Sequence, residues 1–170
     1  MTLHFAYGSN MSGALMRARC PRAEAIGTAT LSGWRFVINP EGFGSIAPQP
    51  GGRVHGVLWR LSARDLAAVN AYESVASGLY VRRRLPVRCG ATQAMALIYI
   101  ARPQREGLPR PGYIPLVVEA AREWQLPEAY IHSLARWAPS RLQSGATPCG
   151  PCCCPWIPGT GCACRRPWTN

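Results

Sequence analysis

Leu3-His4-Phe5-Ala6-Tyr7-Gly8-Ser9-Asn10-Met11 opens as an apolar run and closes on small polar residues. The first five residues read as a short strand ending at Gly8. Ser9, Asn10 or Ser12 can then cap a helix through Ala14, Leu15, Met16 and Arg17, which Cys20-Pro21 stops. Working outward, strand-like runs follow over 23–31, 34–39, 45–48 and 54–61, separated by glycine- and proline-containing turns. Ser62, with Asp65 three residues on, forms a capping pair for a helix to about Glu73. Two more strands, 79–87 and 93–100, precede a proline-rich loop and helices over 113–124 and 128–137. Strands early and helices late predict an α+β domain. Its sheet is expected to be small, mixed and twisted or closed, barrel-like with about six or seven strands, and flanked by helices.

The 170 residues are 48% hydrophobic and 16% charged, a balance that excludes disordered and coiled-coil classes and suits one packed domain. The longest apolar stretch, Ala94–Ala101, is far short of the roughly 20 residues of a membrane helix, so no membrane partner is expected. Nothing before Tyr7 resembles a secretory signal, and the expectation is a cytoplasmic chain without disulfides. The formal charge is +11, yet all 19 basic residues are arginine, as biased codon usage produces. They scatter from Arg17 to Arg166, and the one run, Arg82-Arg83-Arg84, sits in an apolar stretch. A solvated basic surface is therefore expected, and no nucleic-acid partner.

Six of the eight cysteines lie at or beyond Cys149, in a stretch rich in glycine and proline that starts near Gln143. Residues 1–142 are therefore read as the folded domain and 143–170 as a disordered tail, or one translated from an altered frame. Cys149-x-x-Cys152 could open a zinc site, but Cys162-x-Cys164 does not complete the usual spacing, and no metal is assigned.

Glu73 is out of place. Leu66 and Val69 mark the inward stripe of its helix, and Glu73 follows at i+7 and i+4, so a carboxylate falls on the core face. Such a group is either paired, here with Arg82, Arg83 or Arg84, or held partly neutral in a cleft for proton transfer. Asp65 and Glu73 are the only acids between Glu41 and Glu106. The junction Tyr7-Gly8-Ser9-Asn10 is either an ordinary turn and cap or a place where free backbone N–H groups meet an anion. Gly42-x-Gly44-x-x-Ala47 imitates a dinucleotide fingerprint, but Pro48, Pro50, Gly51 and Gly52 stand where a helix should start. Ser9 lacks a nucleophile elbow, and Cys20, His4, His55 and His132 read as structural residues.

Taken together, three motifs resemble the gamma-glutamylcyclotransferase family. Tyr7-Gly8-Ser9-Asn10-Met11 is similar to its N-terminal substrate loop. Ala71-Tyr72-Glu73-Ser74-Val75, followed by Gly78-Leu79-Tyr80, is similar to the stretch holding its catalytic carboxylate. Pro111-Gly112-Tyr113, continuing through Trp124 to Tyr130, is similar to its C-terminal helical pair. The resemblance spans about residues 2–138. It implies cyclisation of a gamma-glutamyl amino acid or amine to 5-oxoproline, with Glu73 as general base and acid and with neither metal nor organic cofactor. Tyr7, Gly8, Ser9, Asn10, Met11, Tyr80 and Tyr113 would bind the substrate. On a regular strand Tyr80 shares a face with Arg82 and Arg84, so its direction depends on which face borders the cavity. Alternatives are a cyclotransferase acting on a carrier-bound biosynthetic intermediate and a non-catalytic binding module of the same fold. Substrate, leaving group and oligomeric state stay open.

Overall fold

The longest strand of the sheet runs from Gly44 to Leu61. In the computed structural model, which describes residues 1–73, 78–102 and 105–138, nine elements follow one another along the chain. They are β1 (Thr2–Ala6), α1 (Gly13–Arg19), β2 (Glu24–Ile38), β3 (Gly44–Leu61), α2 (Ala63–Tyr72), β4 (Tyr80–Cys89), β5 (Thr92–Ala101), α3 (Tyr113–Glu123) and α4 (Glu128–Ala135). The end of β3, rich in Val, Leu and Trp, lies antiparallel to β1 on one side and β2 on the other. The order β1-β3-β2-β4-β5 closes when β5 returns to β1 in parallel at His4 and Leu97. Closure removes the open edges that would otherwise need protection.

The α+β barrel agrees with the expectation, but it has five strands and not six or seven. The runs read as four strands over 23–61 are two long ones. β2 carries register shifts at Ala25/Gly27 and at Ser32/Trp34. Gly27 and Gly33 absorb them with φ of 149° and 84°, values that a side chain rarely tolerates. On β3, Gln49–Gly52 has no partner on β2, and pairing resumes on either side at Pro48 and Arg53. These glycines and prolines interrupt the ladder without ending the strands.

Phe5, Ile38, Val54, Val57, Leu61 and Ile98 are buried in the core together with the helix residues Met16, Val69, Ile114, Val117, Ile131 and Leu134. Two caps set the helices beside the end of β1. Ser12 caps α1, its hydroxyl accepting from the Leu15 amide at 3.4 Å. Ser62 and Asp65 form a full capping box on α2, with reciprocal bonds of 3.2 Å. The inward residues of α2 are Asp65 and Val69, and Leu66 is only half-buried. Glu73 does not continue that stripe: it is the C-cap, where helical geometry ends and the side chain can leave the core. No helix among the described residues is long and apolar enough to cross a membrane. The expected tail, 143–170, and the Ser74–Ser77 loop lie outside the described residues.

Candidate active site

β1 runs out at Ala6, and the chain turns sharply over Gly8 into a single 3₁₀ turn, Ser9–Met11. The first bond of that turn is donated by the Met11 amide to the Gly8 carbonyl at 2.9 Å, so the Ser9 and Asn10 amides precede the turn's own hydrogen bonds. Gly8 is required by a close approach: a Cβ there would lie 2.8 Å from the Tyr113 hydroxyl. One at Gly44 would lie 2.7 Å from the same oxygen. Tyr113 begins α3, and its hydroxyl faces the backbone amides of Gly44 and Ser9.

Tyr80 begins β4 and is buried, whereas Arg82, Arg83 and Arg84 are exposed. Its face therefore borders the cavity at the start of the strand and leaves it beyond. The Tyr80 hydroxyl donates to the Gly44 carbonyl at 2.8 Å and receives the Asn39 amide at 3.3 Å. Tyr7, Gly8, Ser9, Asn10, Glu73, Tyr80 and Tyr113 all line one cavity of about 220 Å³. Met11 does not. Its side chain is fully buried, and its carbonyl accepts from the Trp124 indole at 2.7 Å, an anchoring role between the turn and the helices.

Among the described residues, Glu73 is the only carboxylate in that lining. No arginine of the 82–84 run pairs with it, and the ion pairs among the described residues, Arg35–Glu106, Arg60–Glu24 and His132–Glu128, leave it out. Its partner is Asn10, whose Nδ2 donates to Oε1 at 2.6 Å. Burial pushes the carboxyl up to about 7, and the Arg19 charge and the Asn10 bond pull against that rise. Burial likewise drives the Tyr7, Tyr80, Tyr99 and Tyr113 hydroxyls well above their ordinary range, so they remain neutral donors.

Several residues given no site role from the sequence, His4 among them as a structural residue, belong to the same place. Tyr72, Tyr99, Phe43, Gly44 and His4 also line the cavity. Tyr99 donates to Asn70 Oδ1 at 2.7 Å, and Tyr7 donates to the Tyr99 carbonyl. His4 is buried with Nδ1 at 3.1 Å from the Leu97 carbonyl, and burial lowers it to about 4, which keeps it neutral. Tyr72 could have been suspected from its place beside Glu73. Tyr99, inside the apolar run of β5, carries no local signal.

The AIG2-like family model matches residues 53–134. Gamma-glutamylcyclotransferase of Mus musculus is 26% identical over 152 residues, covering 83% of this chain and 81% of its own length. That of Homo sapiens is 28% identical over 152 residues, covering 81% and 79%. A solved gamma-glutamyl cyclotransferase superposes with a TM-score of 0.76 at 25% identity, over 86% of this chain and 94% of that one. The chain is similar to gamma-glutamylcyclotransferases in both sequence and fold. Its gamma-glutamylcyclotransferase-like barrel brings the turn after β1, the end of α2 and the starts of β4 and α3 to one cavity. No group of three or more His, Cys, Asp or Glu among the described residues is placed to hold a metal.

Proposed function

We propose that the chain cyclises a gamma-glutamyl amino acid or amine to 5-oxoproline, with Glu73 transferring the protons. The supporting observation is a lone carboxylate, raised to about 7, in a cavity walled by neutral tyrosines. The nucleophile belongs to the substrate. Its α-ammonium gives a proton to Glu73, and the amine attacks the γ-carbonyl carbon. The tetrahedral oxyanion collapses and the γ-amide C–N bond breaks as Glu73 returns the proton to the departing nitrogen; the attacking nitrogen gives up a second proton, which leaves with the product amine as its ammonium, so 5-oxoproline keeps a single N–H. A group ionising near neutrality suits both transfers, since neither direction is strongly uphill.

In this reading the chain's own contribution is to fold the substrate and hold charge. Amides of Gly8–Asn10 would receive the glutamyl α-carboxylate or the oxyanion, and the hydroxyls of Tyr80 and Tyr113 would orient the glutamyl group. The test is to incubate purified protein with gamma-glutamyl dipeptides, glutathione and gamma-glutamyl amines and to measure 5-oxoproline. Release from at least one class, abolished in Glu73→Gln, is expected. Release from none, with binding intact, would make the cavity a binding module.

A further inference from the structure

Arg19 lies outside the cavity lining, at the end of α1, and carries no role in the proposed reaction. Its guanidinium stacks over the Tyr72 ring, 3.4 Å from the centroid, and donates to Asn10 Oδ1. Asn10 is buried, and its other carboxamide atom, Nδ2, donates to Glu73 Oε1. Tyr72 in turn meets the Ser9 hydroxyl at 3.3 Å. Five side chains, Ser9, Asn10, Arg19, Tyr72 and Glu73, thus tie the turn after β1 and the end of α1 to the last residues of α2.

The chemistry of this chain of bonds runs in one direction. A guanidinium has donors only, so it can pair only with the oxygen of the carboxamide. That leaves the NH₂ group for Glu73, and an N–H donor stabilises a carboxylate over a carboxylic acid. Were the amide reversed, its oxygen would repel a carboxylate and welcome the O–H of the acid. The sense of the Asn10 amide therefore selects the protonation state of Glu73. We propose that Arg19 is a positioning residue that locks Asn10 in the sense favouring ionised Glu73 and so readies Glu73 to act as the base; the proposal rests on the catalytic reading above.

The other titratable groups around Glu73 do not duplicate this action. Tyr7 from β1, Tyr72 from α2, Tyr80 from β4, Tyr99 from β5 and Tyr113 from α3 line its cavity, as does His4, which burial keeps neutral. Residues 74–77 are Ser-Val-Ala-Ser and carry no titratable charge. Arg19 is the cation that acts on Glu73.

The experiment compares wild type with Arg19→Met and Arg19→Lys, reading the ionisation of Glu73 by carboxyl NMR in the absence of substrate and the acid limb of kcat/KM with it. Arg19→Met is expected to move both upward by about one pH unit, losing rate most at low pH and recovering much of it above the shifted pKa. Arg19→Lys, which still has only donors, should restore much of the shift. A fall in rate of equal size at every pH, with the NMR titration unmoved, would show that Arg19 only braces α1 and would overturn the proposal. Because the NMR reading needs no turnover, failure of the catalytic reading, seen as normal activity in Glu73→Gln, is separable from failure of this one.

Discussion

Glu73 ionises among phenols, and its pKa of about 7 against an ordinary 4.5 has two consequences at the scale of the residue. The first concerns stability. Between those two values the unfolded chain has released the proton and the folded chain still holds it, so the carboxyl favours folding at low pH and loses that contribution as pH rises through about 7. Glu73→Gln, which never ionises, should therefore gain stability relative to wild type as pH rises from 4.5 to 7 and match its wild-type difference below 4.5. Denaturant midpoints at a series of pH values measure this. A parallel pair of curves would mean that the carboxyl is not perturbed. His4 acts in the opposite sense, losing stability as pH falls from 6.5 towards about 4, and it is common to both proteins. The second consequence is catalytic: the same variant should lose about 10²–10⁴-fold in rate, since the amide keeps the shape but cannot carry a proton.

Gly8 belongs to the same scale. A valine there would push a Cβ to within 2.8 Å of the Tyr113 hydroxyl, which must then leave the Ser9 and Gly44 amides. Gly8→Val should weaken binding of 5-oxoproline, read by calorimetry, while carboxyl NMR still shows Glu73 titrating. Unchanged affinity would reduce Tyr7–Asn10 to a turn and a cap.

At the scale of the element, α2 carries its start signal and its functional residue at opposite ends. Ser62 and Asp65 make the capping box, and Glu73 is the C-cap. Ser62→Ala should cost about 1 kcal/mol of stability, read by chemical denaturation, and leave kcat per folded molecule unchanged because the cap is remote from the cavity. A matching loss of kcat would tie helix entry to the placement of Glu73. The cap was legible because Ser-x-x-Asp acts between near neighbours. The strand breaks were misread because Gly33 and Pro50-Gly51-Gly52 look like turns locally, whereas a barrel wall accommodates them as irregularities in two continuous strands.

At the scale of the whole molecule, every strand and helix described lies between Thr2 and Ala135, and the barrel closes without residues beyond 142. We expect truncation after Leu142 to leave the thermal midpoint and the release of 5-oxoproline nearly unchanged. A truncated chain that fails to fold, or stoichiometric zinc whose removal lowers the midpoint of the full chain, would move the tail into the structure.

Local order was legible in the amino-acid sequence. Periodicity and caps were enough for the α+β class and the positions of the helices, because each signal depends on residues a few positions apart, whereas the grouping of Tyr7–Asn10, Glu73, Tyr80 and Tyr113 followed from the resemblance of three motifs to the gamma-glutamylcyclotransferase family. The tertiary structure alone decided what surrounds Glu73. Asn10, Tyr72 and Tyr99 reach the site from the turn after β1, the end of α2 and β5, and Arg19 bears on it from the end of α1, with Asn10 and Glu73 separated by 63 positions. Barrel closure, which pairs His4 with Leu97, is what carries β5 to β1 and Tyr99 to the cavity. Burial is a property of that closed arrangement, and so is the shift of a carboxyl from 4.5 to about 7.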